Sequence, residues 1–356
     1  MARLMIRGGD LDLVEYDFSP FEAGENIRTH GIDKRSFKPE LSEEPIEVTV
    51  PARIHLTVLD MNRFAPNRPG GGGIGFAIQC YCNSVVEITD GKDEINYNRE
   101  PIVRHLIEVF KEVTGYTGGF KIYAKDHEKK HVGLGSTGSV LLAVCHGMNR
   151  AIGSPLTHEE IRYLIGCNYV EETTDGKIIG GFETGVGPAA ATYGGMAVLG
   201  DELTLVCHHN FAEEENVYVI IPPTKAKASG EDEFNVLMNR ARVLDSRDRE
   251  LKAYFVLMDL IPALCRNDIN KLGDIIWEMD FRGSKRAEVE HNSFEIYYYM
   301  SRLKEAGLEF VGMSSVGPSI AVITKLGEDE MNELLKPTGL EIAIKTKVDN
   351  HGIQFR

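Results

Sequence analysis

The chain has 356 residues, 42% of them hydrophobic and 26% charged, long enough for two domains that each bury a core. A formal net charge of −15 repels polyphosphates and argues against nucleic acid or an anionic membrane as partner. No apolar run reaches membrane-spanning length and Met1–Arg7 lacks the apolar core of a signal peptide, so a cytoplasmic protein is expected. Cys80 and Cys82 would share one side of a strand, but no second pair completes a zinc site, and the six cysteines read as free thiols.

In chain order, residues 1–45 are polar, punctuated by Gly8-Gly9, Pro20, Pro39 and Pro45, and read as an extension or a hairpin laid over the main domain. Ile46–Val50 alternates like a strand, Pro51 interrupts it, and Ile54–Leu59 forms a second extended run ending at Asp60-Met61-Asn62. Pro69–Gly75 is a glycine loop that bends sharply or admits something close to its backbone, and Phe76–Ile88 holds two short strands. Ile102–Val113 has helical spacing, and Phe120–Ala124 is a strand.

The stretch His131–Ser139 packs three glycines and three hydroxyl residues ahead of the apolar run Val140–Cys145. Such a helix start is expected to be capped by Ser or Thr, and its N–H groups and dipole suit a phosphate. It is not a Walker A loop, since no lysine follows the last glycine. The helix from Ser136 should end near Gly153, and a capping box at Thr157–Glu160 opens another through about Val170.

Gly180–Pro188 is a glycine-studded loop before a short helical or extended piece and a strand through Val198. A boundary near residue 211 gives an extension (1–45), a first domain (46–210) and a second (211–356). In the second, Val217–Ile221 is a strand, 225–233 a polar loop, and 234–245, 250–266, 268–280 and 292–306 helices. The strand Ile320–Ile323, a helix at Asp329–Leu335 and a strand at Glu341–Thr346 complete an α+β sandwich.

Three motifs in this order carry a resemblance: Pro51-Ala52-Arg53-Ile54, Gly133-Leu134-Gly135-Ser136-Thr137, and Gly312-Met313-Ser314-Ser315-Val316-Gly317-Pro318. Together they resemble the GHMP superfamily of small-molecule kinases. The resemblance implies a GHMP-kinase-type two-domain α+β fold. Its first domain would be ribosomal protein S5 domain 2-like and its second a ferredoxin-like α/β sandwich. Arg53–Asn62, Gly72–Gly75, His131–Ser136 and Asp259–Leu264 are more specifically similar to the beta-ribofuranosylaminobenzene 5′-phosphate synthase family. That family joins phosphoribosyl pyrophosphate to 4-aminobenzoate or 4-hydroxybenzoate, releasing carbon dioxide and pyrophosphate, an early step of methanopterin biosynthesis.

Gly187 stands seven residues before Gly194, where the superfamily's kinases carry a catalytic aspartate, and it has no carboxylate to take an acceptor's proton. Glu183 and Asp175 lie upstream of the Gly185-Val186-Gly187 turn and would need a rearranged loop to stand in. The chain departs from the synthases at Phe182-Glu183-Thr184, where they carry arginine, and at Gly135–Ser139, where they read Gly-Ser-Gly-Thr-Gln. An ATP-dependent kinase and a noncatalytic metabolite binder are the alternatives.

The implied chemistry makes Asp60, His55 and Glu183 the candidate catalytic residues. Asp60 is the candidate Mg²⁺ ligand, or a turn-capping residue beside Asn62. His55 reads as a core histidine or, alternatively, a catalytic one. Substrate and phosphate binding would fall to Arg53, Asn62, Gly73, Gly75, Gly133, Gly135, Ser136, Thr137, Gly138 and Ser139. Thr184, Gly185, Gly187, Ser314, Ser315 and Gly317 complete that set. The expected partners are phosphoribosyl pyrophosphate and a para-substituted benzoate, Mg²⁺ is the expected cofactor, and the expected assembly is a homodimer.

Overall fold

The computed structural model describes residues 2–6, 14–63, 69–129, 132–173, 175–223, 240–292 and 294–356, with side chains described from residue 19 onward except at Phe294. Strands β1 (Ala2–Ile6) and β2 (Val14–Phe18) pair antiparallel. Phe21, Ala23, Ile27, Ile32 and Phe37 then lie against the first core, so the extension clads the domain without a core of its own.

The first sheet is built on one long antiparallel pair, β3 (Ile46–Val58) and β4 (Gly73–Thr89). The break expected at Pro51 is a register shift within a continuous strand. Proline has no N–H for the ladder, and a bulge removes the need for one. β5 (Glu94–Asn96) runs parallel to β6 (Gly119–Lys125), which pairs with the far half of β4. Helices α1 (Glu100–Thr114) and α2 (Ser136–Ala151) cover one face, with Val48, Val50, Val86, Phe110 and Phe120 packed against Val144 and Met148.

After α3 (His158–Cys167), whose capping box Thr157–Glu160 forms as expected, the chain makes a short ribbon. The ribbon pairs β7 (Val170–Glu172) with β8 (Ile178–Gly180). The glycine-studded loop then enters α4 (Val186–Tyr193), β9 (Met196–Leu199) and β10 (Leu205–His209). A Cβ on Gly73 or Gly75 would lie 2.7 or 2.6 Å from a methyl of Val186. These two glycines therefore let α4 approach β4, and the space a side chain would take there is filled by Val186.

The second sheet contains β11 (Asn216–Ile220), β12 (Phe310–Met313), β13 (Ile320–Thr324) and β14 (Ile342–Thr346). Its order, β12-β13-β11-β14, is fully antiparallel and matches the ferredoxin-like βαββαβ arrangement. The expected helix at 234–245 and the loop at 225–233 fall mostly outside the described residues. From Arg242 the chain is helical to Cys265, as α5 (Arg242–Phe255), a π-helical turn at Val256–Leu260 and α6 (Ile261–Cys265). The wide turn falls just before Pro262, which cannot donate to an ordinary helical ladder. Helices α7 (Ile269–Asp280), α8 (Gly283–His291), α9 (Phe294–Glu305) and α10 (Glu328–Leu335) follow. Gly283–His291 has no counterpart among the expected helices, because charged residues dominate it.

Val217 and Val219 face the helix Ile269–Asp280 and the first sheet, while Tyr218 and Ile220 face Ile296, Met300 and Met331. Ile54, Leu56 and Phe76 share a core with Phe310 and Ile323, so the two sheets are joined by apolar packing. The boundary near 211 falls between them, but β15 (Gln354–Phe355) returns to pair with β3 in the first sheet. Among the described residues no helix is long and apolar enough to cross a membrane.

Candidate active site

The site begins where the Gly133–Ser136 loop enters α2. Gly133 and Gly135 hold φ of +89° and +71°, values that favour glycine, and a Cβ on Gly133 would lie 2.5 Å from Ser314 O. The N-cap is Gly135, and no side chain caps the helix. The hydroxyl cap expected from the sequence does not form, because the hydroxyls point elsewhere. Thr137 Oγ1 accepts from Arg99 Nη1 at 2.7 Å, Ser139 Oγ donates to Pro51 O at 3.2 Å, and buried Ser136 Oγ has no hydrogen-bond partner. The first N–H groups of α2 remain open to an anion.

A second helix, α4, starts the same way. Its N-cap Gly185 has φ +82° and no side-chain cap. Arg53 and Glu183 stand between the two helix mouths. A Cβ on Gly187 would lie 3.5 Å from Arg53 Nε and 3.7 Å from Glu183 Oε2, and a Cβ on Gly138 would be 3.8 Å from that same oxygen. Glu183 thus reaches the space beside Gly187 with no rearranged loop, contrary to the sequence expectation. Its Oε1 accepts from Gly185 N at 2.8 Å, which folds the carboxylate back over the turn. Arg53 Nη1 donates to Gly133 O at 2.6 Å, tying the strand to the Gly133–Ser136 loop.

A cleft opens over these residues, lined also by His55, Val58, Tyr169, Phe182, Thr184, Glu288, Ser315 and Val316. Burial, Arg53 and Lys285 hold His55 well below the usual histidine range, so its ring is neutral, with Nε2 3.2 Å from Thr184 Oγ1. Burial pushes the Glu183 carboxyl up, opposed by Arg53 and two backbone N–H groups. Tyr169 OH donates to Glu171 Oε1 at 2.9 Å, and Glu171 Oε2 accepts from Arg99 Nη2 at 2.8 Å. Tyr169, Glu171, Arg99 and Thr137 thereby connect the cleft wall to the first turn of α2.

Several expected site residues have other work. Asp60 Oδ1 accepts from Asn62 N at 2.9 Å and Nδ2 at 3.1 Å, and its Oδ2 lies 3.6 Å from Arg63 Nε and 3.8 Å from Arg249 Nη1. It is the turn-capping residue, outside the cleft lining, and the catalytic and metal roles expected for it are not supported by this geometry. Asn62 is buried, and its amide nitrogen is committed to Asp60 Oδ1 and Arg242 O, away from the cleft lining. Ser314 Oγ donates to Gly133 O at 2.7 Å and accepts from His55 N at 3.1 Å, a buried clamp between loop and strand that leaves no proton for phosphate. Gly317 has φ +88° and packs against Asn292.

Ser315 does line the cleft. Its N donates to His55 O at 2.7 Å, and its O accepts from Lys285 Nζ at 2.5 Å. Sequence reasoning missed Arg99, Tyr169, Glu171, Lys285 and Glu288. The one local signal was Lys285 and Glu288 at i and i+3 of a helix too polar to stand out. No group of three His, Cys, Asp or Glu side chains among the described residues is placed to hold a metal ion.

The family model for the GHMP kinases N terminal domain matches residues 101–195, spanning α1, α2 and α4. The chain is 27% identical over 336 residues to the beta-ribofuranosylphenol 5′-phosphate synthase of Archaeoglobus fulgidus, covering 87% of this chain and 99% of that one. It is 26% identical over 305 residues to the protein of that name from Methanothermobacter thermautotrophicus, covering 78% and 88%. Among solved structures, homoserine kinase from Cytophaga hutchinsonii superposes with a TM-score of 0.64 at 15% identity, over 89% of this chain and 99% of that one. Mevalonate diphosphate decarboxylase from Staphylococcus aureus superposes at 0.62 and 14% identity, over 88% and 98%. The resemblance read from the three motifs is borne out, and the fold is the GHMP kinase fold.

Proposed function

We propose that this chain, an enzyme with the GHMP kinase fold, transfers phosphoribosyl from phosphoribosyl pyrophosphate to 4-hydroxybenzoate, with 4-aminobenzoate as the alternative acceptor. Pyrophosphate and carbon dioxide would leave, and the step would stand early in methanopterin biosynthesis. The observation that carries this reading is the glycine-started mouth of α2, which no side chain caps, facing Arg53 and Glu183 at a largely polar cleft with apolar walls at Val58, Phe182 and Val316. The name of the relatives supports the hydroxyl acceptor, since decarboxylative transfer to 4-hydroxybenzoate yields a ribofuranosylphenol.

In this reading the mouth of α2, the Ser136 hydroxyl and Arg53 bind the leaving pyrophosphate, whose negative charge grows as the C1–O bond breaks. The Glu183 carboxylate faces the positive charge that develops at C1. The ring carbon bearing the carboxylate attacks C1, and loss of carbon dioxide returns the electron pair to the ring. Val58, Tyr169, Phe182 and Val316 provide walls against which an aromatic ring can lie. Arg53 also replaces the arginine that the sequence lacks near residue 183. Neutral His55 adds no positive charge near C1 and stays against Thr184. The residues present do not fit a protein-built Mg²⁺ cage: Asp60 is held by Asn62, and among the described residues no three acidic, His or Cys side chains gather to hold a metal. We place the Mg²⁺ on the diphosphate of the substrate.

The test mixes purified protein with phosphoribosyl pyrophosphate, Mg²⁺ and each benzoate. Pyrophosphate and carbon dioxide released in equal amounts support the reading. A second reading, an ATP-dependent small-molecule kinase, is favoured by one observation, the Glu183 carboxylate beside Gly187. Acceptor-dependent ADP release, lost in Glu183→Gln, would establish that alternative instead.

A further inference from the structure

The second domain contributes a buried ion pair to the cleft that the reading above does not use. Glu288 is 2% exposed yet lines the cleft, and its Oε2 accepts from Lys285 Nζ at 3.0 Å. Lys285 is fully buried and is held in place by Ser315 O, while Ser315 N is bonded to His55 O. The pair is thus fastened to the strand that carries Arg53. Glu288 Oε1 has no hydrogen-bond partner among the described residues. Oε1 opens on the cleft, where a ligand can replace water as its hydrogen-bond donor.

What lies beside it suggests which ligand. Val58, Val316 and Ala287 pack together, with Phe182 against them, forming the apolar part of the cleft next to Glu288. Arg53 and Val58 are separated along one strand by roughly 16 Å at 3.3 Å per residue. That span has room for the donor's ribose at the Arg53 end and an acceptor ring seated against Val58 and Phe182, the ring then having one end toward the donor and the other away from Arg53. In the reaction proposed above, the ring carbon bearing the carboxylate must face the donor at the Arg53 end. Its para substituent then points toward Glu288.

We propose that Glu288 recognises the aromatic acceptor: its Oε1 accepts the hydrogen bond of the para-hydroxyl, and Lys285 is the positioning residue that holds the carboxylate there. The inference rests on the phosphoribosyl-transfer reading. As the ring attacks, the acceptor O–H bond breaks, its proton passes to Glu288 Oε1, and its electron pair moves into the ring. The C–C bond to C1 forms while the C1–O bond breaks, with its electrons going to pyrophosphate. When the bond to carbon dioxide breaks, its pair restores the aromatic ring, and Glu288 returns the proton to the phenolic oxygen. Burial raises the Glu288 carboxyl above the usual range, opposed mainly by Lys285, which makes it a better proton acceptor than an exposed carboxylate.

The experiment compares 4-hydroxybenzoate with 4-fluorobenzoate, an acceptor of similar size with no proton to donate. Calorimetry on the wild-type protein with phosphoribosyl pyrophosphate bound and Mg²⁺ withheld, so that no turnover occurs, should show the hydroxyl compound binding about 10- to 100-fold more tightly. In Glu288→Gln that preference, and kcat/KM for 4-hydroxybenzoate, should fall by the same factor. Affinity for phosphoribosyl pyrophosphate should not change, whereas a merely structural role would weaken both substrates together. The double variant Glu288→Met with Lys285→Met leaves no unpaired charge, and provides the same reading if the single variant does not fold. Equal wild-type affinities, or a preference preserved in a folded Glu288 variant, would overturn the inference. Product formation tests the transfer reading separately: wild-type protein that prefers the hydroxyl compound but releases no pyrophosphate refutes the transfer reading and upholds the recognition of the hydroxyl.

Discussion

Gly135→Ala probes the site at its narrowest point. The residue sits at φ +71°, and an alanine Cβ would lie 2.8 Å from Arg53 Nε and 2.9 Å from its Cζ. Holding an L-residue in the left-handed region costs about 1–2 kcal/mol. The guanidinium must also move, breaking the 2.6 Å bond from Arg53 Nη1 to Gly133 O. A hydrogen bond from a charged group contributes roughly 1.5–3 kcal/mol, and the same guanidinium is assigned to the pyrophosphate. Affinity for phosphoribosyl pyrophosphate should therefore fall about 10- to 150-fold. The backbone strain alone should lower Tm by several degrees, about 2–4 °C per kcal/mol for a domain of this size. Calorimetric titration of Gly135→Ala, Arg53→Met and the double variant separates the two contributions. Because both single changes act through one guanidinium, the binding losses should not add in the double variant. Unchanged affinity in Gly135→Ala, or losses that sum, would refute the placement of Arg53 at the pyrophosphate.

Glu183→Gln should lower kcat about 100-fold or more while leaving the affinity for phosphoribosyl pyrophosphate nearly intact, because the carboxylate meets charge that develops only at the transition state; a uniform loss of binding would contradict it. Asp60→Asn should leave turnover unchanged, since Asp60 is committed to Asn62 and two arginines; a large fall in kcat at saturating Mg²⁺ would restore the catalytic role expected from sequence. Asp280 is buried, neither carboxyl oxygen has a hydrogen-bond partner among the described residues, and burial, opposed by Lys285, raises its pKa to about 8. A raised acid keeps its proton in the folded state, so the stability it confers is present below about pH 4 and is lost as the pH rises to about 8, at up to roughly 1.4 kcal/mol per pH unit. Urea unfolding should show Asp280→Asn gaining on the wild type across that window, and parallel curves for the two proteins would rule the effect out.

Much of the fold was legible because it rests on local chemistry. Apolar spacing marked α1, the capping box at Thr157–Glu160 marked α3, and Gly153 marked the end of α2 within two residues. The glycines of the Gly133–Ser136 loop announced a backbone that favours glycine, and Gly135 in the left-handed region is that requirement seen directly. The departures have equally local causes. Pro51 looked like the end of a strand because a sequence does not show that a bulge can absorb its missing N–H. Gly73 and Gly75 looked like a ligand cradle because the Val186 methyls that need the space lie more than a hundred residues away.

The residues of the cleft divide along the same line. Arg53, Glu183 and the α2 mouth were visible as residue types in suggestive loops, since charge beside glycine is readable one position at a time. Whether Asp60 was a ligand or a turn cap depended on where its two oxygens point, which only the folded chain decides. Lys285 and Glu288 sit in a helix with no sequence mark, and they enter the cleft because Ser315 carries them to His55 across the domain junction. Sequence alone determined the superfamily-type fold and the glycine-started mouth of α2, because backbone conformation and helix dipoles are properties of a short stretch. Which carboxylates line the cleft was decided by the packing of β3 against the late turn and α8, because a side chain's electrostatic role depends on its neighbours in space.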